Sequence, residues 1–116
     1  MAIVVNLYTW DDWQRALAGP APVLLFKHST SCGVSARAHY EFQQWAAAQP
    51  PGIVLPALVR VIEERPLSLR IAQVTGVPHA SPQAILLWRD RALWHDSHQA
   101  ITQAALGAAL AKVSIP

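Results

Sequence analysis

Cysteine and charge are both scarce in this chain. Cys32 is the one cysteine among 116 residues, and charged residues make up 14%. A single cysteine excludes a disulfide framework and a Cys-rich zinc module. Low charge combined with 53% hydrophobic residues excludes intrinsic disorder. The 9 basic residues form no run and the formal charge is only +2, so nothing points to nucleic acid as a partner. Apolar runs are short, as in Ala84-Ile85-Leu86-Leu87-Trp88. A membrane span needs roughly 20 such residues. The segment Met1 to Asn6 carries no basic leader. The expectation is one soluble, cytoplasmic domain over residues 1–116 with no membrane partner.

Periodicity then supplies the elements. Ile3 to Leu7 reads as a weak first strand. Thr9 reads as a helix N-cap, with Asp12 three residues on near a capping box, and that helix stops near Gly19-Pro20. Val23 to Phe26 is a continuous apolar run of the kind that forms a buried central strand. Val34, Ala38, Phe42, Trp45 and Ala46 recur at helical spacing and end before Pro50-Pro51-Gly52, a loop signal. Leu58 to Ile62 reads as a strand. Pro66 suits a first helical turn and Gly76 the position just past a helix end. Ala84 to Trp88 is a second buried strand, Arg89-Asp90-Arg91 a hairpin turn, and Ala92 to His95 the return strand. Thr102 caps a last helix. The order β-α-β-α-β-α-β-β-α predicts an α/β fold with a mixed sheet flanked by helices. It is the order of a thioredoxin-like fold, which by itself assigns no function.

Cys32 follows the first buried strand and opens a helix. The first N–H groups of a helix lack internal partners and carry partial positive charge. A thiolate there is stabilised and becomes a nucleophile near neutral pH. Ser35 stands where a Cys-x-x-Cys motif would hold its resolving cysteine. Oxidised forms are therefore a mixed disulfide, a Cys32–Cys32 dimer or an oxyacid. The competing reading is an inert cysteine in the core of a binding module. Lys27, one of two lysines, is either a cation near Cys32 or a side chain snorkelling from a strand end, and His28 is either near the loop or a surface residue. Pro82, in Ala80-Ser81-Pro82-Gln83, sits just before a strand, where its missing N–H is tolerated.

Several separated blocks are familiar together: Lys27-His28-Ser29-Thr30-Ser31-Cys32, then Ser35, Arg65-Pro66, Gly76-Val77, Ser81-Pro82-Gln83-Ala84-Ile85, Trp94-His95 and Ser97-His98. From Trp10 to Leu110 the chain resembles the monothiol bacilliredoxin family, thioredoxin-like proteins of the bacillithiol system. The resemblance implies a thioredoxin fold, a single active cysteine at Cys32 with Ser35 as the motif serine, and a cis-proline at Pro82. It implies thiol–disulfide exchange with S-bacillithiolated client proteins. Bacillithiol would be a co-substrate, and no cofactor would be tightly bound. Thiol-binding positions implied by place are Lys27, Thr30, Ser31, Gly33, Val34, Ser81, Pro82 and Gln83, with Arg37 near enough to meet an acid group. A monomer or weak dimer is expected.

One position departs from the family, which usually has proline after the cysteine where this chain has Gly33. Cys32-Gly33-Val34-Ser35 is also similar to the Cys-Gly-Phe-Ser motif of monothiol glutaredoxins, which hold a [2Fe–2S] cluster between subunits. Against that alternative, Arg91 to Asp96 stands where those proteins carry a Gly-Gly-x-Asp-type segment. His79, His95 and His98 are candidate metal ligands by residue type, but without a His-x-x-x-His spacing.

Overall fold

A computed structural model describes residues 2–113. Ten elements follow in order: β1 Val5–Asn6, α1 Trp10–Ala18, β2 Val23–His28, α2 Gly33–Ala48, β3 Leu55–Arg60, α3 Arg65–Thr75, β4 Gln83–Trp88, β5 Arg91–Ser97, a 3-10 turn His98–Ala100 and α4 Gln103–Ala111. The five strands form one sheet in the order β1-β3-β2-β4-β5. β3 runs parallel to β1 and β2, while β4 is antiparallel to β2 and to β5.

Local chemistry explains the helix ends. Thr9 accepts from the Asp12 backbone while the Asp12 carboxylate accepts from Thr9, a complete capping box on α1. The Tyr8 N–H, opposed by desolvation and aided by the Thr9 N–H and the Arg15 guanidinium, holds that carboxyl below the usual carboxylate range. α3 begins with Pro66 in its first turn and ends at Gly76 with φ of 72°, the left-handed region that glycine enters without steric cost. Thr102 caps α4 by accepting from the Ala105 N–H.

Alternate residues of the strands face opposite layers. Leu24, Phe26, Leu58, Ala84 and Leu86 pack with Ala38, Phe42 and Trp45 of α2 and Leu106 of α4. Val23, Leu25, Ala57, Val59, Ile85 and Leu87 pack with Trp13 of α1 and Leu67 and Ile71 of α3. Each fully buried Leu, Ile or Phe contributes about 1.5–3 kcal/mol, so β2 and β4, enclosed on both faces, anchor the molecule.

Every strand differs from expectation at a boundary: β2 runs past Phe26 to His28, and β4 begins at Gln83, one residue early. β1 is two residues long rather than five. β3 starts at Leu55, ahead of the expected Leu58, and contains Pro56. The Leu55 N–H donates to the Pro22 carbonyl of the β2 side, so Pro56 turns its missing donor toward β1. β1 pairs only with Ala57 and Leu58, so no β1 partner of Pro56 lacks a bond. β5 runs on to Ser97 and is followed by the 3-10 turn, which the apolar pattern does not mark because its three residues are exposed and two of them are polar. No helix among the described residues is long and apolar enough to cross a membrane.

Candidate functional site

β2 ends at His28, and after four intervening residues the chain enters α2 at Gly33. Cys32 is the N-cap of α2, in extended conformation (φ −119°), and is half-buried as a free thiol. Its N–H donates to the Ser29 carbonyl at 3.3 Å, and its carbonyl accepts from the Ala36 N–H at 3.0 Å. Both bonds fix the backbone and leave the sulfur uncommitted, since the Cys32 side chain makes no capping hydrogen bond. The helix N-terminus beneath it favours negative charge on that atom. A Cβ added at Gly33 would meet nothing within 4 Å, so packing does not demand glycine there.

Ser35, on the first turn of α2, is fully enclosed. Its hydroxyl oxygen accepts from the Ser29 N–H at 2.9 Å and lies 2.8 Å from His28 Nδ1. This serine therefore ties the loop carrying Cys32 to the end of β2. The His28 ring stacks on His39 of α2 at 4.4 Å, and both pack on Phe26. Burial pushes the His28 imidazole below its ordinary range, assisted by His39 and opposed by the Glu63 carboxylate. Burial lowers His39 as well. Thr30 and Ser31 are exposed on the loop, and the Thr30 hydroxyl donates to Glu63 Oε2 at 3.0 Å.

Two residues expected to bind a thiol face elsewhere. Lys27 precedes His28 on β2 and so points to the opposite layer. It is completely buried, and its Nζ donates to the Ser68 carbonyl of α3 at 2.9 Å. Loss of hydration lowers its ammonium to about 8. Gln83 is its cross-strand partner on the same face, 2% exposed, with Nε2 donating to the Pro78 carbonyl. Neither side chain is open to a ligand. Lys27 is not snorkelling either, and His28 is half-buried rather than a surface residue.

Pairing of Lys27 with Gln83 brings the loop before β4 to the same end of the sheet as the Cys32 loop. The Ser81–Pro82 peptide bond is cis. Ser81 Oγ is buried without a hydrogen-bond partner among the described residues. The Pro82 carbonyl accepts from the His98 N–H at 3.0 Å, which holds His98 at φ of 56°, uncommon for a residue other than glycine. His98 borders a groove of about 390 Å³ whose other wall is α2, with Val34, Arg37 and Glu41. Glu41 is engaged by Gln103 at the start of α4, while Arg37 forms no ion pair among the described residues. His79, His95 and His98 belong to no metal-sized group of ligating side chains among the described residues.

Sequence reasoning missed the partners of Ser35. Period-two alternation places His28 on the Phe26 face, toward α2, and helical spacing puts His39 one turn beyond Ser35 on that same helix. Those two periodicities, combined, were the available signal. Glu63 carried none, because it meets Thr30 only through the packing of β2 on β3.

The comparisons agree with this geometry. A solved structure described as an oxidoreductase with a thioredoxin fold matches with TM-score 0.84 at 28% identity, covering 91% of this chain and 92% of that one. Thioredoxin of Malassezia sympodialis matches with TM-score 0.79 at 15% identity over 97% of this chain and 91% of that chain. Mitochondrial thioredoxin 3 of Saccharomyces cerevisiae matches with TM-score 0.75 at 14% identity, covering 95% of each chain. These last two likenesses speak to the fold alone. The family model of monothiol bacilliredoxin BrxC covers residues 5–106. A thioredoxin-fold thiol oxidoreductase, this chain belongs to the monothiol bacilliredoxin family.

Proposed function

We propose that this protein removes bacillithiol from S-bacillithiolated client proteins, through a mixed disulfide on Cys32. The observation that carries the reading is a free, half-buried thiol at the N-cap of α2, uncommitted to any cap bond. With Ser35 in place of a second cysteine, an external thiol must complete the cycle.

Cys32 thiolate attacks the bacillithiol sulfur of the modified client. The client–bacillithiol S–S bond breaks, and the client cysteine leaves with the electron pair and takes a proton from solvent. A second bacillithiol thiolate then attacks the bacillithiol sulfur held on Cys32. Cys32 leaves as thiolate, and bacillithiol disulfide is the oxidised product. Rates follow the thiolate fraction of the attacking group and the leaving-group acidity.

In this reading the Gly33 and Val34 N–H groups stabilise the Cys32 sulfur. Thr30, Ser31, Ser81 and Pro82 border the bound thiol, and Ser81 meets it through backbone groups because its hydroxyl is buried. The groove toward Arg37 receives the acid groups of bacillithiol, a role Lys27 cannot take from its buried position. The protein acts in the cytoplasm, as a monomer or weak dimer and without a tightly bound cofactor.

Intact mass spectrometry after mixing with a bacillithiolated client tests the reading. The expected result is one bacillithiol on Cys32, none on the Cys32→Ser variant, and weak transfer from a glutathionylated client. No transfer from either client overturns it. A brown protein with visible absorbance after anaerobic purification would instead favour a cluster on Cys32.

A further inference from the structure

One face of α2 carries Val34, Arg37, Ala38 and Glu41, at the three- and four-residue spacing of a helix stripe. Together with His98 they line the groove of about 390 Å³, a volume within the range of small-molecule sites. Arg37 and Glu41 stand four residues apart, where opposite charges on a helix can pair. They do not pair. The Glu41 carboxylate accepts instead from the Gln103 backbone N–H at 3.4 Å and from the Gln103 Nε2 at 3.1 Å. Arg37 forms no ion pair among the described residues. We propose that Arg37 selects the thiol that exchanges with Cys32 by holding its carboxylate, and that Gln103 is a positioning residue that keeps Arg37 free by drawing Glu41 toward α4. The proposal deepens the function stated above and rests on Cys32 being thiolated.

The groove lies within reach of a molecule held on Cys32. Val34, two residues past the cysteine, forms part of its wall. Between them stands Gly33, where an added Cβ would meet nothing within 4 Å, so no side chain closes the way. Arg37 is about 7.5 Å further along the helix axis than Cys32, at 1.5 Å per residue. A thiol of tripeptide size spans about 10 Å. The opposite wall is tied to the same end of the sheet, because the His98 N–H bonds the Pro82 carbonyl. Gln103 is the first residue of α4, so its N–H has no partner inside that helix and favours a carboxylate. Arg ahead of Glu is also the weaker order of a four-residue pair, so Gln103 competes well for Glu41. The planar guanidinium is left with two parallel donors for an incoming carboxylate.

The measured step is one exchange. The Cys32 thiolate attacks one sulfur of a symmetric disulfide, the S–S bond of that disulfide breaks, and one thiolate leaves with the electron pair. Arg37 is exposed, so a carboxylate on it should raise the rate about fivefold, the upper range of an exposed ion pair. Letting Glu41 turn back onto Arg37 should remove about half of that gain, as a four-residue helix pair is worth about twofold.

The test follows thiolation of Cys32 by intact mass spectrometry with two pairs of disulfides. One pair is bacillithiol disulfide and the disulfide of its methyl glycoside, which lacks the malate carboxylates. The other is glutathione disulfide and the disulfide of glutathione diethyl ester. Within a pair, the acid-to-neutral rate ratio cancels the reactivity of Cys32 itself. The wild-type ratio should be about five and fall to about one in Arg37→Gln. Gln103→Ala should halve it, and Glu41→Gln added to Gln103→Ala should restore it, which a merely structural role of Gln103 would not do. Arg89→Gln removes the same charge from the far end of β4 and should keep the wild-type ratio. A wild-type ratio of one in both pairs overturns the proposal, as does an unchanged ratio in Gln103→Ala or an equal fall in Arg89→Gln. Thiolation by the glutathione pair alone, with the Arg37-dependent ratio, upholds this proposal and strikes the bacillithiol reading. Equal rates for both members of the bacillithiol pair and of the glutathione pair strike only this proposal, and no thiolation by any of them strikes both.

Discussion

Lys27 and His28 are consecutive residues at the end of β2, both basic, and the sheet sends them into different chemistry. Lys27 enters the α1 and α3 layer and is sealed there, with one carbonyl for its ammonium. His28 enters the α2 layer, where it meets Ser35 and His39 below the Cys32 loop. Only the second face opens toward the helix that Cys32 caps. Charge type and distance along the chain therefore decide little beside strand parity, since a shift of one residue moves a cation from the reactive loop into the core.

The largest expected effect breaks the comparison on the Lys27 side. Its ordinary value of 10.5 falls to about 8 in the folded protein. Between those values the unfolded chain binds more protons, so stability rises with pH across the window from 8 to 10.5. The shift of 2.5 units corresponds to about 3 kcal/mol. Chemical denaturation at stepped pH should show that rise in the wild type. Lys27→Met should lack it, and should be at least as stable as wild type at pH 7, because it removes a buried charge that has no carboxylate partner. A Lys27→Met protein with the same pH slope as wild type would place the titration elsewhere.

Ser35→Ala sharpens the comparison from the other face. It leaves the Ser29 N–H and the His28 Nδ1 without their shared oxygen. Stranding a buried donor costs about 1–3 kcal/mol, which should appear as a lower denaturation midpoint at pH 7. The rise between pH 8 and 10.5 should remain at full size, since the two sites share no hydrogen bond and lie on opposite faces.

The strands and helices were legible because their signals are local. The β2 and β4 runs, the Thr9 and Thr102 caps and the Pro66 and Gly76 boundaries each need only a few neighbouring residues. Cys32 at the head of α2 was legible for the same reason. The surroundings of the site were less so. Lys27 and Gln83 were grouped with the thiol because they are near Cys32 and Pro82 in sequence, whereas their cross-strand pairing turns them together into the opposite layer. His28 met Ser35 only once the end of β2 was folded against α2. Contacts between elements carry no fixed spacing, so Glu63, 31 residues beyond Cys32 in the numbering, had no sequence mark.

Glu63 offers the smallest and most selective perturbation. Its carboxylate accepts from the Thr30 hydroxyl and raises the His28 imidazole against the larger lowering by burial and the further lowering by His39. Glu63→Gln keeps an oxygen for Thr30 while removing the charge. The NMR midpoint of His28 should then move further down, and only slightly, because an exposed carboxylate acts through solvent. About 1 M salt, with a screening length near 3 Å, should remove most of the difference between Glu63→Gln and wild type. The Lys27 window should not respond to this substitution at all, because no described contact joins Glu63 to the buried face. A shift in the His28 midpoint that persists at high salt would mean that Glu63 acts by fixing the Thr30 loop rather than by its charge, and Thr30→Val would then reproduce it.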